Sequence, residues 1–208
     1  MLVLAEFDLA GAVLSKAILT QTDFRSAKLA GAKLNEAEIS RARFEGADLS
    51  GAELTKAVGW RANFTKAALE NANLTSADLS RSLFVGARLA NANFQKAEVN
   101  RSDFTGADLT GADMSKAELA RVVFAQAKLG NANFKNSNLS RAKLNGADLH
   151  GVNFAGAYLY MTQLRGANLS GAQGLSQDQL ANTCGSADTK LPQGITAPAN
   201  WSCPEEDE

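Results

Sequence analysis

Residue type in this chain repeats every five positions from Leu4 to Leu169 with almost no slippage. Of the 34 positions 4, 9, 14 and onward to 169, 33 carry Leu, Phe, Ile, Val or Met, and the one exception is Gly59. Two residues before each large residue stands a small one: among the 33 positions from 12 to 172, Ala fills 26 and Thr, Ser or Val the rest. A period of five fits neither a helix, at about 3.6, nor a strand, at about 2, so neither regular element keeps these residues on one face. A chain that turns a corner every five residues does. Each unit then supplies one large and one small inward residue, and three that face out or turn.

A second period gives the number of corners in a coil. Phe recurs at 24, 44, 64, 84, 104 and 124, and Leu fills 9, 29, 49 and every twentieth position to 169. Like stacks on like every twenty residues, so four units close a coil of square cross-section. Positions 11, 31, 51 and onward to 171 are all Gly or Asn, the residues that best tolerate positive φ. One of the four corners is therefore expected to be a left-handed turn. Coils pairing as strands do, at about 4.8 Å, would make a rod of about eight coils, roughly 40 Å long. Ala is demanded opposite each large residue because two large side chains would overfill the interior.

The runs Gly46-Ala47-Asp48-Leu49-Ser50, Ala72-Asn73-Leu74-Thr75, Gly106-Ala107-Asp108-Leu109-Thr110 and Gly166-Ala167-Asn168-Leu169-Ser170 resemble the pentapeptide repeat family, and the resemblance spans about residues 2–172. It implies an all-β fold, a right-handed quadrilateral β-helix, with its handedness carried over from the family. Some members of that family resemble double-stranded DNA in size and charge and bind DNA gyrase. That mimicry needs an acidic rod. Here residues 1–175 hold 20 basic and 16 acidic residues, a body of +4, and the register has no inserted loop of the kind seen in quinolone-resistance members.

The composition changes near Gly174. All three prolines and both cysteines lie beyond it, with six acids against one base. Residues 1–174 read as the β-helix and 175–208 as a C-terminal cap, because the last coil of a solenoid must be covered. Ser176 as N-cap, Gln179 three residues on, and the Leu175/Leu180 staple predict a short helix over 176–184. An irregular segment and an acidic tail follow, with Trp201 expected to plug the last coil. Cys184 and Cys203 have two readings: a disulfide in an oxidising compartment, such as the periplasm after removal of a leader that Met1 replaces, or free thiols in the cytoplasm. The first coil, with Leu2, Val3, Leu4 and Phe7, has no visible cap. Its edge calls for an upstream segment or a second copy packed end to end.

Little in the sequence points to catalysis. His150 is the only histidine, the cysteines lack metal-site spacing, and no phosphate loop, nucleophile elbow or dinucleotide fingerprint occurs. No enzyme, metal or cofactor is expected. What remains is surface, with an unidentified protein as the expected partner. Arg41, Arg61, Arg81, Arg101, Arg121 and Arg141 form one column at one corner. Glu38, Asp78, Glu98 and Glu118 stand three residues before four of them, so one reading is an exposed ion-pair ladder. The other is an arginine stripe for an anionic partner. Nucleic acid is disfavoured, since stacking platforms are absent. Trp60, beside Gly59, either fills the gap the missing large residue leaves or stands exposed with Arg61 as a contact residue. Charged residues recur throughout the repeats, so no stretch approaches the about 18 apolar residues of a membrane helix.

Overall fold

The computed structural model describes residues 2–199 and 201–203; Met1 and the acidic run 205–208, on which two of the expectations above rest, lie outside them. The chain winds into a four-sided solenoid. One residue per unit, the one before each large side chain, forms parallel bridges to the coils below and above: Lys28 pairs with Asp8 and with Asp48, and the pattern repeats along the rod. Phe rings in successive coils stack with centroids 4.9, 4.8 and 4.9 Å apart, which sets the rise of one coil.

Three inter-coil hydrogen bonds and one local one hold each unit. In the second unit Leu9 N–H donates to Lys28 O at 2.7 Å, Gly11 N–H to Ala30 O at 2.9 Å, Lys28 N–H to Phe7 O at 2.9 Å, and Ala12 N–H closes the turn on Leu9 O at 3.0 Å. That turn needs a positive φ at its third residue, as a type II turn does. The left-handed corner expected from the Gly/Asn column is there, and it is not alone. All four corners are left-handed, with φ from 55 to 73° at every fifth position from Glu6 to Gly171. Arg, Lys, Gln and Ser occupy this conformation as well as Gly and Asn, because the hydrogen bonds above impose it.

The side chain before each large residue also has a local task. Asp48 Oδ1 accepts from Ser50 N–H at 3.0 Å, and Asp108 Oδ1 accepts from Thr110 N–H at 3.1 Å and from its hydroxyl at 2.7 Å. Asp and Asn recur there because a short carboxylate or amide caps the turn two residues on. Inside, Phe94 meets Phe84 and Phe104 edge-on at 6.1 and 5.9 Å across the core, and the Ala columns are buried. Gly59 causes no bulge. Its N–H donates to Asp78 O at 2.7 Å, and a Cβ there would lie 2.6 Å from Leu79 Cδ2 and 2.9 Å from Ile39 Cγ1, so the coils above and below fill the gap.

At the C-terminal end Gln173 still pairs with Asn153, and a five-residue helix α1 (Gln177–Ala181) then crosses the open coil. It is shorter than the 176–184 expected. Ser176 caps it with Gln179 in a capping box, and Gln179 Nε2 also donates to Phe154 O at 2.9 Å and Ala157 O at 2.8 Å, two carbonyls of the last coil. Leu180, fully buried, is the plug. Trp201, expected there, is instead half-buried against Gly185, with its indole N–H on Thr183 Oγ1 at 3.1 Å. Beyond α1 the chain pairs once more, Cys184 on Gln163 and Lys190 on Asn168, and a Cys184–Cys203 disulfide ties the cap together.

Candidate functional site

The six arginines of the column all lie at left-handed corner positions, with φ between 57 and 61°. Each side chain is exposed. A bulky residue held at positive φ is strained relative to Gly, which could replace it. The corner thus holds long cations where the backbone would favour glycine.

The intramolecular ion-pair ladder is corrected. Among the described residues the ion pairs are Lys16–Glu36, Arg25–Asp23, Lys28–Asp8, Arg43–Asp23, Arg43–Glu45 and Arg88–Glu70, and none involves the column. The cause is the shape of the coil. Glu38, Asp78, Glu98 and Glu118 sit in mid-face and project from the flat side, whereas the arginines radiate from a convex corner. The corner turn, with the arginine as its third residue, stands between them.

Trp60 is half-buried on that corner rather than in the core. The Arg61 guanidinium lies 4.2 Å from its ring centroid, with Arg41 and Arg81 at 5.9 and 5.7 Å. A tryptophan face attracts guanidinium through its quadrupole, worth about 0.5–1 kcal/mol at an exposed site. Arg61 and Arg141 are also the levels at which the acid column is interrupted, by Val58 and Asn138. One coil above Arg141 the corner turns apolar, with Tyr158, Tyr160 and Met161 exposed and the two tyrosine rings 6.1 Å apart.

Other charged groups serve the scaffold. Asp23, with a side chain only 2% exposed, accepts from Arg25 Nε at 2.9 Å and Nη2 at 2.7 Å, with Arg43 Nη1 at 3.8 Å. The Arg25 hydrogen bonds hold its carboxyl at about 2, against an ordinary 3.8. Sequence reading missed this cluster, because its members belong to adjacent coils and no column repeats them. His150 is exposed, with Nδ1 3.3 Å from Ser170 Oγ. No group of three or more His, Cys, Asp or Glu able to hold a metal occurs among the described residues, and no helix there is long and apolar enough to cross a membrane.

Two family models match: "pentapeptide repeats (8 copies)" over residues 8–46, and "pentapeptide repeat region" over 59–134 and 77–154. Together they take in more than half of the chain. Among solved structures, HetL of the cyanobacterium Nostoc sp. strain PCC 7120, a pentapeptide repeat protein involved in heterocyst differentiation regulation, is 34% identical. That match covers 91% of this chain and 82% of HetL, with a TM-score of 0.45. A pentapeptide repeat protein of the Arabidopsis thaliana thylakoid lumen is 31% identical over 51% of this chain and 67% of its own, with a TM-score of 0.35. QnrB1, a plasmid-mediated fluoroquinolone resistance protein, is 16% identical over 93% and 91%, at 0.46. No curated protein matches at a significant level. On the family models and the identity to HetL, the chain belongs to the pentapeptide repeat family, and its four-sided solenoid is the right-handed quadrilateral β-helix of that family.

Proposed function

We propose that this chain is a non-enzymatic interaction rod, and that the Arg41–Arg141 corner with Trp60 set in it is the surface that docks a protein partner. The observation that carries this reading is a line of six exposed guanidinium groups, one per coil, none within 4.0 Å of a carboxylate among the described residues. Neighbouring guanidinium groups about 5 Å apart repel by about 1 kcal/mol in water, and among the described residues only Trp60 lies close enough to offset it. An anionic surface laid along the corner would. Arginine and tryptophan are also the residues that most often carry the energy of a protein contact.

The basic body argues against DNA mimicry and gyrase as the target. The disulfide of the cap supports an oxidising compartment, such as the periplasm, where cytoplasmic partners are out of reach. Photo-crosslinking in native cells tests the site, with a crosslinking residue at Asn100, beside the column, or at Asn73, in the middle of another face. Adducts from position 100 that are lost in Arg101→Glu/Arg121→Glu, with none from 73, are expected. Adducts from 73 alone, or from neither, would overturn the assignment.

A further inference from the structure

The face that ends at the arginine corner carries two parallel columns of opposite sign, and the partner it fits is a second copy of the same face. Resting on the docking surface assigned above, we infer that two copies associate side by side, parallel, about a twofold axis along the rod. The acids in mid-face stand one column inward of the arginines, with the turn column that holds Trp60 between them. A twofold axis running up that middle column places the arginines of each copy over the acids of the other. The contact is isologous and occurs twice.

Height decides register. A twofold axis parallel to the rod leaves every residue at its own level, and three residues of a twenty-residue coil climb less than about 1 Å. Arg81, Arg101 and Arg121 therefore meet Asp78, Glu98 and Glu118 of the other copy, as Arg41 meets Glu38. The chain supplies the same charges the expected internal ladder would have used, but on a second molecule the vectors converge instead of diverging. Where the acid column lapses at Val58, Arg61 already has its own Trp60 at 4.2 Å.

The middle column fits an axis of close approach. Ser40, Ser80, Asn100, Ala120 and Ser140 are small, and the two large residues, Trp60 and Tyr160, would each meet their own copy across the axis. Aromatic pairs of that kind supply the apolar part of the contact. A polyanion fits less well, because carboxylates stand beside four of the six arginines and would repel it. Any partner must also match a step of 4.5–5.2 Å repeated along the corner, and a second copy of this same solenoid has that step.

Sedimentation velocity on the full chain with its disulfide intact tests the inference. A dimer is expected at low salt, weakening by at least about tenfold in 0.5 M salt as the ion pairs are screened. Arg101→Glu/Arg121→Glu and Glu98→Arg/Glu118→Arg should each be monomeric alone, with unchanged circular-dichroism melts. Mixed in equal amounts they should dimerise, because every apposed pair is again opposite in sign. A wild type that stays monomeric, or a mixture that does not associate, overturns the dimer. So does a dimer that survives both variants, which would move the contact to the N-terminal coil. Crosslinks from position 100 to a different protein, with a monomeric wild type, would leave the docking surface standing and remove only this partner.

Discussion

The first and last described coils of the rod are built differently. At the C-terminal end the periodic sequence stops, a five-residue helix crosses the open coil, Leu180 drops into the core, and Gln179 donates to the Phe154 and Ala157 carbonyls. At the N-terminal end the period runs to the edge of the description. Leu4, Leu9 and Leu14 are only partly buried, and on the sides Val13 and Ile18 are 75% and 83% exposed. The first full carboxylate cluster, Asp23 with Arg25 and Arg43, sits one coil in. A repeat sequence can extend a coil but cannot end one, because every unit presents a partner's template on both sides. Ending it takes residues that break the period, as those of the C-terminal segment do.

Four experiments bear on that contrast. The largest effect is expected from Leu180→Ala, which opens the plug and should cost about 2–5 kcal/mol, while Leu4→Ala should cost under about 1 because its site is already half open. Paired denaturant titrations of the two variants give the comparison, and equal losses would mean the ends are equivalent. Next, Cys184→Ser or reduction should remove about 3 kcal/mol in the chain-entropy model. Amide exchange after reduction should rise from α1 inward and leave the first coils protected.

Acid should act at the other end. Asp23 is held at about 2 against 3.8, so its contribution is fully present above pH 3.8 and is lost as pH falls through 2. Exchange near residues 3–43 should quicken over that window, and Asp23→Asn should abolish the change at about 1–2 kcal/mol of stability. Asp48, whose carboxyl is lowered by Ser50 N–H, lies within reach of the same titration, so the Asn variant is the control that assigns the effect. The smallest effect is expected for Ile18→Lys, within about 0.5 kcal/mol for an exposed side position. A larger loss would show that something covers that coil in solution.

Much of this was legible in the sequence. The five- and twenty-residue periods led to a square solenoid because core columns must stack on themselves. The capping box at Ser176 and Gln179 is present as expected, and what failed were readings of residue type where inter-coil bonds or packing decide the geometry. Gly and Asn marked one corner, yet Arg41, Lys56 and Gln126 adopt the same left-handed backbone at the others. Inter-coil hydrogen bonds overrode propensity there. Glu98 and Arg101 looked paired because three residues is short in sequence, but a convex corner separates their directions. Gly59 looked like a void for Trp60, whereas Ile39 and Leu79 were long enough to reach it from above and below. The Asp23 cluster was invisible because it joins two coils at positions the repeat leaves variable.

The constant step between coils also makes the molecule a ruler. From Phe24 to Phe124 the rings stack at 4.9, 4.8, 4.9, 4.5 and 5.2 Å, so successive coils are stacked at a nearly even step. Duplicating one twenty-residue cassette would move everything beyond it by one such step and leave each face looking the same way. Length in this protein is thus a quantity that can change in whole increments, one graduation at a time, without disturbing what either end or any face presents.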